Sequence, residues 1–134
     1  MPEPDGLSAP FWEGLRAGQL LVQRCEACGT FQWGPEWICH ACHAFSPGWQ
    51  QVEPTGVIYS WTRVWHATHR AVQGHVPYLV VVVELPGAGN VRMVGNLLGD
   101  PRQRVDIGTR VRGRFEQHPD ADPPYALLQW VVDA

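Results

Sequence analysis

At 134 residues, with 45% hydrophobic residues and a net charge of −3, the chain holds one ordinary domain or a small domain with an appendage. It has no lysine: eight of its ten arginines fall in residues 57–115 against three acids, while residues 1–56 carry six acids and two arginines, and 116–134 four acids and no base. That distribution weighs against a broad nucleic-acid surface and leaves room for a few local anion contacts.

The start, residues 1–7, reads as a loose acidic leader with no basic region or apolar run, so no signal peptide is expected. Residues 8–18 read as a short helix. Ser8 is a candidate cap, Pro10 is tolerated in the first turn, and Gly18 marks the exit. Phe11, Trp12 and Leu15 would share an apolar face, and a helix this short needs a surface to dock on, either core or partner.

Residues 19–24 form a strand-like run into Cys25-Glu26-Ala27-Cys28, and Cys39-His40-Ala41-Cys42 follows ten residues later. These are all four cysteines, spaced C-x2-C-x10-C-x2-C. Two chelating hooks facing each other suit tetrahedral Zn²⁺ held by Cys25, Cys28, Cys39 and Cys42. Two disulfides would need an exported chain, and a redox dithiol would explain only one hook. Four thiolates do not by themselves choose zinc over iron, but zinc is preferred. A piece of about 30 residues cannot build a core of its own, and a metal explains how it stays folded. Gly29 follows the first hook, where a tight knuckle needs an unhindered backbone. Residues 30–33 should be the second ribbon strand. His40 and His43 flank the second hook and are expected at the surface or behind the ligands, since thiolates already fill the shell.

Residues 50–56 read as the lead into a second domain. Residues 57–65 form a β-branched and aromatic strand whose alternation puts Val57, Tyr59, Trp61, Arg63 and Trp65 on one side and Ile58, Ser60, Thr62 and Val64 on the other. A loop with His66, His69, Arg70 and His75 follows. Tyr78–Leu85 is a nearly continuous apolar strand, expected to be covered on both faces. It is too short to cross a bilayer and contains Glu84. Residues 91–98 give the next strand, with Gly95 marking a bend or bulge. In residues 109–115, Thr109, Val111, Gly113 and Phe115 should face inward and Arg110, Arg112 and Arg114 outward. Residues 116–124 read as a polar loop, and 125–132 as the last strand. Five strands with turn glycines and no helix among them predict a small antiparallel barrel. The five-stranded Greek-key type that binds oligonucleotides fits, as does a similar barrel of other topology.

The ordered set of short helix with Phe11-Trp12, four-cysteine ribbon, Gly56-Val57-Ile58-Tyr59-Ser60-Trp61-Thr62, Pro77-Tyr78, Val83-Glu84-Leu85, Asn96-Leu97 and Ile107-Gly108 resembles the zinc-ribbon plus OB-fold proteins once catalogued as domain of unknown function 35. The resemblance covers about residues 10–132. It implies a mainly β chain: a leader and helix over 1–19, a rubredoxin-like zinc ribbon over 20–48, and an OB-fold barrel over 49–134. With no signal peptide or spanning run expected, the chain reads as cytoplasmic, and the resemblance implies a non-catalytic partner of an acyl-CoA enzyme, either a thiolase-like or lipid-transfer-type enzyme (thiolase, aldolase or acyltransferase) or a hot-dog-fold hydratase. The barrel would help shape a passage for CoA or acyl group shared with that partner, while the helix and ribbon would hold it. Arg102, Arg104, Arg110, Arg112, Arg114 and His69 are the candidate contacts for CoA phosphates, and no residue is assigned to catalysis. No serine–histidine–acid set is suggested by spacing, and His66, His69, His75 and Asp106 in a polar region are weak candidates for convergence. Two other classes stay in view. One is a single-strand nucleic-acid binder using the arginines with Tyr59, Trp61 and Trp65. The other is a zinc-stabilised interaction module without a small ligand. No membrane partner is expected.

Overall fold

The computed structural model describes residues 5–133; Met1–Pro4, part of the expected leader, and Ala134 lie outside the described residues. A helix, α1 (Ala9–Arg16), precedes a three-stranded ribbon sheet of β1 (Leu20–Cys25), β2 (Phe31–Gln32) and β3 (Pro47–Val52), in the order β2-β1-β3. A second sheet contains β4 (Thr55–Val64), β5 (Tyr78–Leu85), β6 (Val91–Asn96), β7 (Arg110–His118) and β8 (Tyr125–Val132), in the order β6-β5-β4-β7-β8. All pairings between these strands are antiparallel. A parallel bridge from Leu97 to Trp130, with the Leu98 N–H donating to the Trp130 carbonyl at 2.8 Å, brings the end of β6 against β8. This nearly closed barrel has the OB-fold topology, which strand patterning had left open.

The helix begins at Ser8, but the Ser8 side chain does not cap it. Its hydroxyl donates to Asp5 Oδ1 at 2.8 Å, and the same oxygen accepts the N–H of Ser8 at 2.8 Å and of Leu7 at 3.0 Å. The Ser8 N–H, followed by its hydroxyl, holds the Asp5 carboxyl below its usual range. Gly18 ends the helix at φ +73. The apolar face resolves toward the core: Leu15 is fully buried, Phe11 nearly so, and Trp12 packs at the margin. Gln117 on β7 donates to the Leu15 carbonyl at 3.2 Å, a second donor to an acceptor that also takes the Gly18 N–H at 3.1 Å. Phe11, Leu15, Leu20 and Val22 join Ile58, Val81, Met93, Val111, Ala126 and Trp130 in one continuous core, so helix, ribbon and barrel are packed as a unit.

Several local expectations change in the folded chain. Residues 47–52, partly read as the lead into the second domain, pair with all of β1 from Leu20↔Val52 to Cys25↔Pro47 and form the third ribbon strand. In β4 the register slips between Ile58 and Ser60, so strict alternation fails: Ile58 is buried, and beyond the bulge Trp61 from the opposite set also packs on the core. β5 is not covered on both faces, since Leu79, Val81, Val83 and Leu85 are buried while Tyr78, Val80, Val82 and Glu84 are half-buried. The histidine loop contains a 3₁₀ turn, Arg70–His75, and β7 extends through His118, taking in part of the expected polar loop. Gly95 sits in unbroken register opposite Val81, not at a bulge. Its role is steric, because a Cβ there would lie 2.8 Å from Trp130 Cδ1.

Gly95→Ala should therefore cost about 1–3 kcal/mol by overpacking. Val94→Ala, at an exposed neighbour, should stay within about 0.5 kcal/mol. Urea denaturation of both variants checks the difference, and Trp130→Phe should recover part of the Gly95→Ala loss by making room for the new methyl.

Candidate metal centre and the surfaces around it

The ribbon builds its site from two copies of one backbone device. In the first hook the Cys25 N–H donates to the Thr30 carbonyl at 2.9 Å and the Gly29 N–H to the Cys25 carbonyl at 2.8 Å. Fourteen residues later, the Cys39 N–H donates to Ala44 at 3.0 Å and the His43 N–H to Cys39 at 2.9 Å. Each knuckle needs a left-handed residue after its second cysteine: Gly29 at φ +77 and His43 at φ +62. Glycine adopts that conformation without strain, whereas a side chain there costs about 1 kcal/mol or more. Arg24 fastens the first knuckle through Nε to the Gly29 carbonyl at 2.8 Å, with its guanidinium over the Phe31 ring.

The four sulfurs lie within 4.8 Å of one another, with Cys25–Cys42 and Cys28–Cys39 both at 3.6 Å. Four thiolates around one zinc at about 2.3 Å place sulfurs about 3.8 Å apart, so the residues fit the ion. Cys25 and Cys39 are buried, Cys28 and Cys42 exposed. The Thr30 hydroxyl, 3.1 Å from Cys28 Sγ, and the Thr30 N–H draw the Cys28 thiol down to about 6. The N–H groups of Cys42 and Ala41 lower Cys39. At Cys42 the Ala44 N–H also lowers the thiol, but desolvation and the three neighbouring sulfurs outweigh it and push the value up to about 12. The hooks are thus organised for thiolates that need a cation to coexist, and a bound metal would take the place of the remaining protons.

Two buried glutamines hold the loop between the hooks. Gln23 exchanges hydrogen bonds with the backbone of Glu36, donating through Nε2 at 2.9 Å and accepting at Oε1 from the N–H at 3.0 Å. Gln32 donates to the Ile38 carbonyl at 3.2 Å and accepts the His40 N–H at 2.9 Å. His40 Nδ1 also lies 2.7 Å from Gln32 Oε1, and both His40 and His43 are exposed, at the surface as expected. Neither glutamine was singled out by sequence reasoning, although a polar side chain at an inward strand position was the available signal.

The candidate phosphate contacts do not form one cluster. Arg110, Arg112 and Arg114 project from the outer side of β7, and Arg112 lies 3.9 Å from Asp133. Arg110 and Arg112 pair with Val57 and Thr55, at the start of β4. Trp65 lies just past the other end of that strand. Arg102 stands there, its guanidinium 5.1 Å from the Trp65 ring centre. Arg104 meets Asp106 at 3.1 Å in the open. His69 Nδ1 accepts the Ala71 N–H at 3.1 Å, starting the 3₁₀ turn. Arg63, not among the candidates, donates to the Pro101 carbonyl at 2.9 Å and to that of Gln103.

The tryptophans divide likewise. Trp130 is buried; Trp12, Trp33, Trp49 and Trp61 are partly covered; Trp37 near the second hook and Trp65 at the barrel end are exposed. Phe45 is 75% exposed on the far flank of the second hook. A cleft of about 680 Å³ opens beside the barrel end, lined by Val72, His75, Tyr78, Leu98, Pro101 and Glu116 among others. Among the described residues no helix is long and apolar enough to cross a membrane.

Comparison with known proteins matches both parts of the chain. Residues 12–48 match the family model described as "ChsH2, rubredoxin-like zinc ribbon domain", and residues 49–116 match "ChsH2, C-terminal OB-fold domain". A "Probable enoyl-CoA hydratase alpha subunit" of Thermomonospora curvata is 36% identical over 104 residues, covering 75% of this chain and 31% of the relative. The "3-oxo-4,17-pregnadiene-20-carboxyl-CoA hydratase alpha subunit" of Mycobacterium tuberculosis is 28% identical over 139 residues, 98% of this chain and 42% of the relative. The chain therefore spans less than half the length of these two relatives. A chain of the solved structure described as "Ltp2-ChsH2(DUF35) aldolase" superposes with a TM-score of 0.84 at 30% identity, covering 98% of each chain. A protein of unknown function from the DUF35 family of Sulfolobus solfataricus shares the fold at a TM-score of 0.62 and 16% identity, over 93% of this chain and 84% of the other.

Metal analysis of the purified chain should give one equivalent of zinc, and Cys39→Ser should abolish it. Stripping the ion with a chelator under reducing conditions should remove hydrogen-exchange protection from the two knuckles while β5 keeps its own. Gly29→Val should lower the melting free energy by about 1–2 kcal/mol with the metal still bound.

Proposed function

Since the chain belongs to the family of ChsH2-type zinc-ribbon and OB-fold proteins, we propose that it is a non-catalytic accessory subunit of a thiolase-like, lipid-transfer-type acyl-CoA enzyme. It completes that enzyme's passage for the CoA thioester and stabilises the assembly. The observation that carries this reading is the match, over 98% of both chains, to a relative described together with Ltp2 as an aldolase. The hydratase names belong to relatives more than twice as long as this chain, and we assign the activity in those names to segments that it does not cover.

The chemistry of the chain supports the same division of labour. Four thiolates complete a tetrahedral zinc shell and leave no position for water or substrate, so the ion is structural. Bound, it would cross-link the two hooks. The histidines offer no assembled acid–base set: His69 caps a turn, His118 Nε2 pairs with Glu116 at 2.9 Å, and His43 is exposed. Bond making and breaking then fall to the partner. What this chain offers is surface, above all exposed Trp37 and Phe45 beside the cysteine hooks. Exposed aromatics of this kind are the usual anchors of a protein interface.

Affinity capture of the tagged chain from its native cell, at moderate salt and with a nuclease-treated control, should recover a stoichiometric thiolase-like subunit unaffected by nuclease. Acyl-CoA turnover should need both chains and should survive His43→Ala and His118→Gln. Recovery of nucleic acid without an acyl-CoA enzyme would sink the reading, and so would turnover by this chain alone.

A further inference from the structure

The surfaces of the molecule differ in chemistry, and one combines three features that the others lack together. The aromatics beside the metal, Trp37 and Phe45, share the ribbon with Glu26 and Glu36, which repel phosphate. The groove of about 300 Å³ between Trp12, Trp33 and β6 is lined by apolar and uncharged polar side chains. The cleft at Gly87 and Arg110 is shared with Asp133. At the barrel end an open aromatic ring, an exposed guanidinium group beside it and a large cleft adjoin one another, with Glu116 also on the cleft wall.

Trp65 is 58% exposed. Arg102 stacks on one face of its indole, so the exposure lies mainly on the other face. The backbone that carries Arg102 is itself held in place. Its N–H donates to Asp100 Oδ1 at 2.8 Å, and the carbonyls of Pro101 and Gln103 on either side of it are both gripped by Arg63. Gln103 ties the same loop back through Nε2 to the Leu98 carbonyl at 3.1 Å. A loop fastened this thoroughly presents its outward side chains with little ordering cost on binding. Arg104, two residues on, is taken up by Asp106 at 3.1 Å, and Arg70 opens the turn whose Val72 and His75 line the cleft. Pro101 belongs to both the loop and the cleft wall, so the ring and the cleft are neighbours. The cleft volume of about 680 Å³ falls in the range of small-molecule sites.

We infer that the free face of Trp65 is a stacking platform for the base of a phosphorylated purine nucleoside, with Arg102 taking its phosphates and the adjoining cleft its tail. The inference rests on the acyl-CoA reading and deepens it by assigning the nucleotide end of the thioester to this chain. Arg110, Arg112 and Arg114, on the far part of β7, have no part in it. A planar base gains from one large ring face, guanidinium groups take phosphate oxygens in pairs, and neither partner needs a buried charge.

The test uses the full chain labelled with ¹⁵N, whose indole N–H signals report on each tryptophan, with adenosine 3′,5′-bisphosphate as probe and pantetheine as control. The Trp65 signal, identified by its loss in Trp65→Leu, should move on titration with the bisphosphate, while that of buried Trp130 should not. Trp65→Leu should weaken binding about tenfold or more and Trp65→Phe should retain most of it. Arg102→Gln should weaken the bisphosphate severalfold and plain adenosine little. A Trp65 signal that stays still, or bisphosphate binding unchanged in Trp65→Leu, overturns the inference. Partner capture with Trp65→Leu separates the two readings. If the partner is captured as before and no nucleotide binds the native chain, the inference fails and the accessory-subunit reading stands. If that variant loses the partner and no nucleotide binds, Trp65 is a protein contact and the inference fails as well. If neither partner nor nucleotide binds the native chain, both readings fall.

Discussion

One apolar core is shared between the barrel and the beginning of the chain. The connection between β6 and β7 contains no helix, and α1 packs on the barrel instead, with Phe11 and Leu15 in one core with Val111, Ala126 and Trp130. Burial of these side chains drives the arrangement. It also draws in the first ribbon strand, since Leu20 and Val22 belong to the same core. The ribbon therefore cannot float: its inner edge is fastened by apolar burial and its outer end by four thiolates. At Gly89 the β5–β6 turn runs so close to Phe31 that a Cβ would lie 3.3 Å from it, a second point of contact between the two parts.

The features legible in the sequence were those set by local chemistry. Cysteine spacing shows the metal site because each hook is a closed local device, and the thiolate pairs meet as that spacing requires. The arginine alternation on β7 was likewise plain, since an edge between core and solvent imposes a period of two. What escaped were features set by neighbours distant in sequence. Gly95 reads as a bulge until Trp130 is seen against it. Residues 47–52 read as a connector until β1 is placed beside them. Alternation through β4 breaks at Tyr59 because the strand leaves β7 after Val57 and continues with β5 alone. The stripe of arginines looked like one site only because sequence distance was standing in for distance in space.

The uneven charge of the sequence also takes on a physical sense. Several of the arginines in the basic middle are spent on structure: Arg63 on carbonyls, Arg92 on Glu84 and the Tyr59 ring, Arg104 on Asp106. Exposed pairs of this kind contribute little to stability. Guanidinium groups stacked on aromatic rings do more to fix geometry, because both partners are planar and relatively rigid. A formally basic middle thus leaves few cations uncommitted, which suits a single small anionic ligand better than a polymer of phosphates.

Between the last residue of β3 and the first of β4 stand only Glu53 and Pro54. That junction is tied on both sides: the Thr55 N–H donates to the Glu53 carbonyl at 2.8 Å, and the Gly113 N–H of β7 to the Pro54 carbonyl at 2.6 Å. Mechanically it is a welded elbow. A load at the four-cysteine tip would pass to the barrel through this fastened junction. An enzyme that gripped only the tip would thereby also set the aim of the barrel's far rim, so one handhold would suffice to orient two separate faces.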